Sequence, residues 1–160
     1  MPDLGRKSPA KAWDEDSARG IAAGLKDVAG PLLPILHALN EQFGYVDERA
    51  IPVVAEVLNL SRAEVHGVIS FYHDFRHEPA GRHVIRVCRA EACQAMGSEA
   101  VVAALEKALG ISCGGTTADG RVTVEAVYCL GNCALSPAAF IDGKLYGRVD
   151  ATRALGLVRS

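Results

Sequence analysis

Long apolar runs are missing from this 160-residue sequence. Nothing in it approaches the roughly 18 consecutive apolar residues that span a membrane, and residues 1–17 contain no apolar run of signal-peptide length. We therefore expect a cytoplasmic protein with no direct membrane insertion. Thiols stay reduced in the cytoplasm and disulfides are rare there. An odd number of cysteines, five, also argues against a disulfide framework.

Motifs for nucleotides, nucleic acids and nucleophilic catalysis are missing as well. The sequence contains no G-x-G-x-x-G and no G-x-x-x-x-G-K-[ST], so it shows no dinucleotide or nucleoside triphosphate site. It shows no Ser/His/Asp arrangement. The net charge is −2 and no run of five or more Lys and Arg occurs, so nucleic acid is not an expected partner. We expect no catalysis from this chain alone.

The first half of the sequence has the apolar spacing of helices, in a chain of globular composition. A Gly-Pro pair separates the first two helices, and Ser61 with Glu64 forms a capping box before the fourth. We predict a bundle of three or four helices over residues 1–79, in which residues 1–13 are a mobile tail. The apolar stripes are Ile21, Leu25 and Val28; Ile35, Leu36, Leu39 and Phe43; Ile51, Val54, Ala55 and Leu58; and Val65, Val68, Ile69 and Tyr72.

The pattern changes after the Pro-Ala-Gly sequence at residues 79–81. Residues 80–160 have the order strand, helix, strand, strand, strand, helix. This order predicts a small α/β domain with a mixed sheet. The predicted elements are strands 83–87 and 121–127, a helix 98–109 capped by Ser98, a hairpin of strands 138–141 and 145–149 turning at Asp142-Gly143, and a last helix capped by Asp150.

Four of the five cysteines form two pairs in this second half. Cys88 and Cys93 follow one predicted strand, and Cys129 and Cys133 follow another. If the two strands are neighbours, the pairs meet at one end of the sheet. A [2Fe-2S] cluster takes two thiolates for each iron, and a locally spaced pair can bind one iron. Our hypothesis is therefore one iron–sulfur cluster, and the small residues around the cysteines would let backbone N–H groups approach the sulfurs.

The cysteine pattern leaves other uses of the thiols open. Four thiolates also suit zinc in a structural or interaction module, although zinc pairs favour gaps of two residues and both gaps here are longer. A thiol–disulfide enzyme would need a C-x-x-C motif, which is absent. The fifth cysteine, Cys113, lies outside the pairs, and we expect it to be a free or half-buried thiol.

Several motifs together resemble the thioredoxin-like [2Fe-2S] ferredoxin family, over residues 17–155. That family includes the 24-kDa subunit of respiratory complex I and small subunits of NAD-linked formate dehydrogenases and bidirectional hydrogenases. The most specific match is the C-x4-C pair followed by residues 128–133, Tyr-Cys-Leu-Gly-Asn-Cys, and then Pro137. The other matching motifs are residues 42–46, 65–68, 71–72 and 79–81.

The resemblance implies a fold, a cofactor and a partner. It implies a thioredoxin-like domain behind an N-terminal helical bundle, with one [2Fe-2S] cluster per chain. In the family, the cysteines matching Cys88, Cys93, Cys129 and Cys133 ligate that cluster. The implied partner is a flavoprotein subunit that binds FMN and NAD(H), and the implied role is electron transfer within an NAD-linked oxidoreductase.

The first cysteine loop, residues 90–97, looks most like that of the gamma subunits of molybdenum-dependent, NAD-linked formate dehydrogenases. This likeness implies a further, larger partner that carries clusters and molybdenum. A complex I subunit of the 24-kDa type and a subunit of a bidirectional NAD-linked hydrogenase are the alternatives within the family. A zinc-stabilised interaction module is the alternative from another class.

Overall fold

The structure is a computed structural model that describes residues 12–159. These residues divide into two compact units, one ending at Pro79 and one beginning at Ala80. Most of the predicted mobile tail, residues 1–11, lies outside the described residues. No helix within residues 12–159 is long and apolar enough to cross a membrane.

The first unit contains four helices, as the apolar spacing predicts. Asp14 caps the first by accepting a 3.0 Å hydrogen bond from the backbone N–H of Ser17. The predicted capping box is confirmed, since Glu64 accepts from the Ser61 N–H at 2.8 Å and Ser61 from the Glu64 N–H at 3.2 Å. The helices are α1 (Glu15–Leu25), α2 (Leu32–Phe43), α3 (Ala50–Leu58) and α4 (Arg62–Phe71).

Three residues of this unit differ from the sequence prediction. Val28 lies beyond the end of α1 and is 42% exposed, so it is not part of the apolar stripe. Tyr72 forms the C-terminal cap of α4 and is 43% exposed. Trp13, predicted in the tail, is ordered against the core: its ring centroid lies 5.3 Å from that of Phe43. Burial of a large aromatic ring stabilises the folded state. The mainly polar residues on either side of Trp13 in the sequence give no sign of this burial.

A buried carboxylate organises the turn between α2 and α3. Asp47 accepts hydrogen bonds from the Tyr45 hydroxyl at 3.1 Å and from the Arg49 Nε and Nη2 atoms at 2.8 and 2.7 Å. The Arg49 guanidinium also lies over the Trp13 ring, 5.4 Å from its centroid. The hydrogen bonds from Arg49 outweigh burial and lower the pKa of Asp47 to about 2.

The second unit is the predicted α/β domain with a mixed sheet. Its elements are β1 (His83–Cys88), α5 (Glu91–Ala95), α6 (Ser98–Leu109), β2 (Val122–Val127), β3 (Ala139–Ile141), β4 (Lys144–Tyr146) and α7 (Ala151–Leu157). The strand order is β2-β1-β3-β4, in which β1 and β2 are parallel and the other neighbours are antiparallel. The side chains of Ile85, Val124 and Leu105 lie in the core of this unit.

Two boundaries in this unit correct the prediction. The cap of α6 is Gly97, with φ at 89°, and Ser98 is its first helical residue. The Ser98 hydroxyl is buried and has no hydrogen-bond partner among residues 12–159. Strand β4 ends at Tyr146 rather than at residue 149, because Arg148 has a positive φ of 50° that a continuing strand does not allow.

The Asp47 network predicts acid sensitivity of the helical unit. The folded-state pKa is below the ordinary value of 3.8, so this stabilisation is complete above about pH 4 and is lost as the pH falls through about 2. We expect Asp47→Asn to lower the free energy of unfolding at neutral pH by roughly 2 kcal/mol. Urea unfolding followed by fluorescence of Trp13, the one tryptophan, reports on this unit.

The matched control is Asp27→Asn, which removes an exposed carboxylate from the same unit. We expect it to leave the free energy of unfolding nearly unchanged. Equal destabilisation by the two substitutions would contradict the network, as would an Asp47→Asn variant that keeps the full acid dependence of the wild type.

Candidate metal centre

The two cysteine pairs lie at one edge of the sheet. Cys88 is the last residue of β1, and Cys129 comes two residues after the end of β2. These strands are parallel neighbours, with Cys88 opposite Val127, so their carboxyl ends share an edge. The condition under which the two pairs lie at one end of the sheet, that the strands are neighbours, is therefore met.

The first pair is buried. Cys88 and Cys93 are each only 2% exposed, and they pack with Ala138. The backbone N–H of Cys88 donates to the carbonyl of Ala138 at 3.0 Å, which fixes the end of β1. Cys93 lies on α5 and not on the loop that the sequence suggested. This one-turn helix returns the chain so that Cys93 packs beside Cys88.

The second pair is exposed to solvent. The Sγ atoms of Cys129 and Cys133 are 3.9 Å apart. Cys129 has a positive φ of 79° and Gly131 one of 72°, and these left-handed residues curl the chain between the two thiols. Cys133 begins a single 3₁₀ turn, Cys133–Leu135.

Backbone hydrogen bonds connect the two loops. Burial alone would raise the pKa of the Cys88 thiol, but hydrogen bonds from the backbone N–H groups of Ala90, Cys129 and Leu130, together with contact with Cys93, lower it below its usual value. Two of these donors are consecutive residues of the second loop. Successive N–H groups directed at one atom form an anion-binding concavity. The thiolate form of Cys88 is thereby stabilised from both loops.

Charge on the other cysteines disfavours a thiolate at Cys133. The pKa of Cys133 is raised by its hydrogen bond and charge interaction with Cys129, and further by the charges of Cys93 and Cys88. Like charges at short range disfavour ionisation. Charge on both pairs therefore acts on Cys133, and a cation bound at this site would relieve the repulsion.

The donor set fits an iron–sulfur cluster. It consists of thiols alone, arranged two by two, with backbone N–H groups directed at a sulfur, and each iron of a two-iron cluster takes two thiolates. Within residues 12–159 the structure holds no group of three or more His, Cys, Asp or Glu side chains placed to bind a single metal ion.

Cys113 is placed apart from the two pairs. Its side chain packs against the core of the α/β unit, and its backbone N–H donates to Glu106 Oε1 at 2.8 Å. Burial is the main reason why the pKa of its thiol is raised. A half-buried thiol, as predicted, is what the structure shows.

Two features that support the second loop were not found from the sequence. Ser136 is buried beside Cys93 and Cys133, with nothing in its neighbours to mark it. Gly147 lies against the loop: a Cβ there would come within 2.5 Å of Leu135 Cβ and 2.9 Å of the Leu135 carbonyl oxygen. The next N–H group, that of Arg148, donates to the same carbonyl at 2.6 Å. The segment after β4 therefore holds the second cysteine loop in place.

A parallel β1–α–β2 unit followed by a hairpin, with thiols at the strand ends, defines a class of small iron–sulfur proteins with a thioredoxin-like fold. Residues 18–160 match the family described as "Thioredoxin-like [2Fe-2S] ferredoxin". The chain belongs to this family, which implies a [2Fe-2S] cluster as its cofactor.

Proteins similar to this chain include subunits of oxidoreductases. One subunit of the NADH-quinone oxidoreductase of Pseudomonas aeruginosa is 43% identical over 78% of this chain and 75% of its own length. The HndA subunit of the NADP-reducing hydrogenase of Solidesulfovibrio fructosivorans is 38% identical over 75% and 70%. A crystal structure of an NAD⁺-reducing [NiFe]-hydrogenase aligns with a TM-score of 0.66 at 31% identity over 79% of this chain. This chain spans only 22% of that hydrogenase chain.

Gly147 yields a prediction for the integrity of the site. We expect Gly147→Ala to displace the second cysteine loop, because the two nearest atoms that its Cβ would meet, Leu135 Cβ and the Leu135 carbonyl oxygen, cannot rotate away. The purified variant should retain several-fold less iron per chain than the wild type, measured by colorimetric iron assay.

Gly156→Ala is the control for this substitution. Gly156 lies on α7 in the same unit, and its added Cβ would meet nothing within 4 Å. We expect wild-type iron content from it, and slightly higher stability, because Ala favours helix. Full iron retention by Gly147→Ala would show that the loop does not depend on this contact.

Proposed function

We propose that Cys88, Cys93, Cys129 and Cys133 hold one [2Fe-2S] cluster per chain and that the chain is an electron-transfer subunit. The single observation that carries this proposal is the meeting of two thiol pairs across the ends of β1 and β2, in a chain of this family. When bound, such a cluster supplies one-electron transfer.

The two cysteine pairs would hold the cluster in different environments. Cys88 and Cys93 would hold one side in a water-poor environment formed by Ala138 and its neighbours. Cys129 and Cys133 would hold the side that faces solvent. Backbone N–H groups of the second loop stabilise the negative charge on Cys88. The exposed pair is the side through which a partner would approach.

The proposed partner is a flavoprotein subunit that binds FMN and NAD(H). Support comes from the family resemblance and from the relatives, which are named as subunits of an NADH-quinone oxidoreductase and of an NADP-reducing hydrogenase. The sequence shows no nucleotide-binding motif of its own. Reaction with a nicotinamide would then take place on another chain.

As the parent complex we propose an NAD-dependent, molybdenum-containing formate dehydrogenase, which would add a larger catalytic subunit with clusters and molybdenum. The support is the first cysteine loop, residues 90–97, which resembles the gamma subunits of such enzymes. The two relatives described above favour instead an NADH-quinone oxidoreductase or a hydrogenase, and these remain the alternative parents. The cytoplasmic location expected from the sequence stays a prediction.

The ligand assignment predicts opposite outcomes for two cysteine substitutions. Cys129→Ser should lose the cluster or alter its spectrum severely, because serine replaces a thiolate of the exposed pair. Cys113→Ser should keep iron, acid-labile sulfide and the EPR signal of the dithionite-reduced protein at wild-type levels, since its thiol packs in the core.

Equal damage from both substitutions would overturn the ligand assignment. Wild-type protein with stoichiometric zinc and no acid-labile sulfide would overturn the cluster itself and favour the zinc-stabilised module. Disulfide reductase activity that disappears on substituting Cys88 or Cys93 would favour a thiol-redox enzyme instead.

The parent complex predicts which proteins co-purify with the tagged full chain from its native cell. A large molybdenum-containing subunit together with a flavoprotein is the expected result, identified by mass spectrometry and metal analysis. Co-purification of membrane subunits would instead identify an NADH-quinone oxidoreductase as the parent complex, and co-purification of a nickel–iron subunit would identify a hydrogenase. Each of these outcomes is compatible with the cluster and tests the parent complex alone.

A further inference from the structure

We infer that Ser136 is a positioning residue of the proposed [2Fe-2S] centre. Its hydroxyl donates a hydrogen bond to the Cys93 thiolate and thereby raises the reduction potential of the centre. This inference rests on the proposed ligand set, and it concerns a hydroxyl that lies between residues of the two cysteine pairs.

The hydroxyl of Ser136 contacts both pairs. Its Oγ atom is 3.5 Å from Cys93 Sγ and 2.7 Å from the carbonyl oxygen of Cys133. Sulfur is larger than oxygen, so 3.5 Å is an ordinary hydrogen-bond distance between a hydroxyl and a thiol. Ser136 itself is 7% exposed and Cys93 is 2% exposed, so water competes little for either group.

The direction of the hydrogen bond depends on the state of Cys93. With a protonated thiol, Cys93 donates to Ser136 Oγ, and the Ser136 hydroxyl donates to the Cys133 carbonyl. A thiolate that binds iron has no proton to donate and is an acceptor only. The Ser136 oxygen would then face it with a lone pair unless the hydroxyl turns and donates its own proton to the sulfur.

The turn of the hydroxyl leaves no buried group without a partner. The Cys133 carbonyl also accepts from the backbone N–H of Ser136, at 3.3 Å, and keeps that bond when the hydroxyl leaves. The proton stays on Ser136 throughout, so only its orientation changes. A buried polar atom with a second donor tolerates the loss of its first, whereas a buried thiolate gains from a new one.

A hydrogen bond to a ligand sulfur favours the more negative, reduced state of the centre. We therefore expect Ser136→Ala to lower the midpoint potential. A loss of about tenfold in the equilibrium constant for reduction corresponds to about 59 mV for a one-electron couple. The alanine side chain is smaller and fits the buried position, so the cluster should assemble to wild-type content.

The test is an EPR-monitored redox titration of the reconstituted full chain, with iron and sulfide measured on the same samples. Ser136→Thr keeps the hydroxyl and should restore the wild-type potential. Ser70→Ala removes a hydroxyl that donates to two helix carbonyls in the other unit, and we expect it to leave the potential unchanged. Pulsed electron–nuclear double resonance of the wild type should show a proton coupling that exchanges in D₂O. We expect this coupling to be missing in Ser136→Ala and present in the other two variants.

Each outcome either supports or overturns the inference. A negative shift in Ser136→Ala at full cluster content, reversed in Ser136→Thr, supports it. An unchanged potential at full content overturns it and leaves the ligand set intact. A reduced content with an unchanged potential also overturns it, since it assigns Ser136 only to the loop around Cys133. Wild-type chain that cannot be reconstituted with iron and sulfide rejects the proposed function instead.

Discussion

The parallel pairing of β1 with β2 is the constraint on which the site depends. It places Cys88 directly opposite Val127, and thus joins two cysteine pairs that lie far apart in the sequence. Parallel neighbours require a crossover connection, and α5, α6 and the loop after them supply it. The buried side chains of α6, Leu105 among them, pack on the sheet, so the hydrophobic core that stabilises the domain also sets the distance between the pairs.

The position of the second pair depends on a different part of the chain. Cys129 and Cys133 lie on an exposed loop with few buried side chains of its own. Its support comes from the segment after β4, through the Gly147 contact and the hydrogen bond from Arg148 to the Leu135 carbonyl. Because close backbone contacts and hydrogen bonds fix the second cysteine loop, this loop does not need a hydrophobic core of its own.

The sequence predicts much of the fold and the type of each candidate ligand, because both depend on short-range patterns. Helix periodicity, the capping box of Ser61 and Glu64 and the cysteine spacing are all visible within a few residues. Contacts between distant segments are not visible in this way. Gly147 against Leu135, Ser136 between Cys93 and Cys133, and Trp13 on Phe43 each follow from packing that no local pattern encodes.

The asymmetry of burial between the two pairs has an electrostatic consequence. Charge on Cys88 and Cys93 lies in a region of low polarity, where it costs free energy unless hydrogen bonds or a cation compensate it. Backbone N–H groups from two loops compensate the charge on Cys88. Among the hydrogen bonds of the described residues, the side-chain hydroxyl beside Cys93 is that of Ser136. The exposed pair is solvated and needs less help from the protein. In the proposed centre, control over the charge state would therefore reside in the buried pair, and the exposed pair would leave the centre open to a partner.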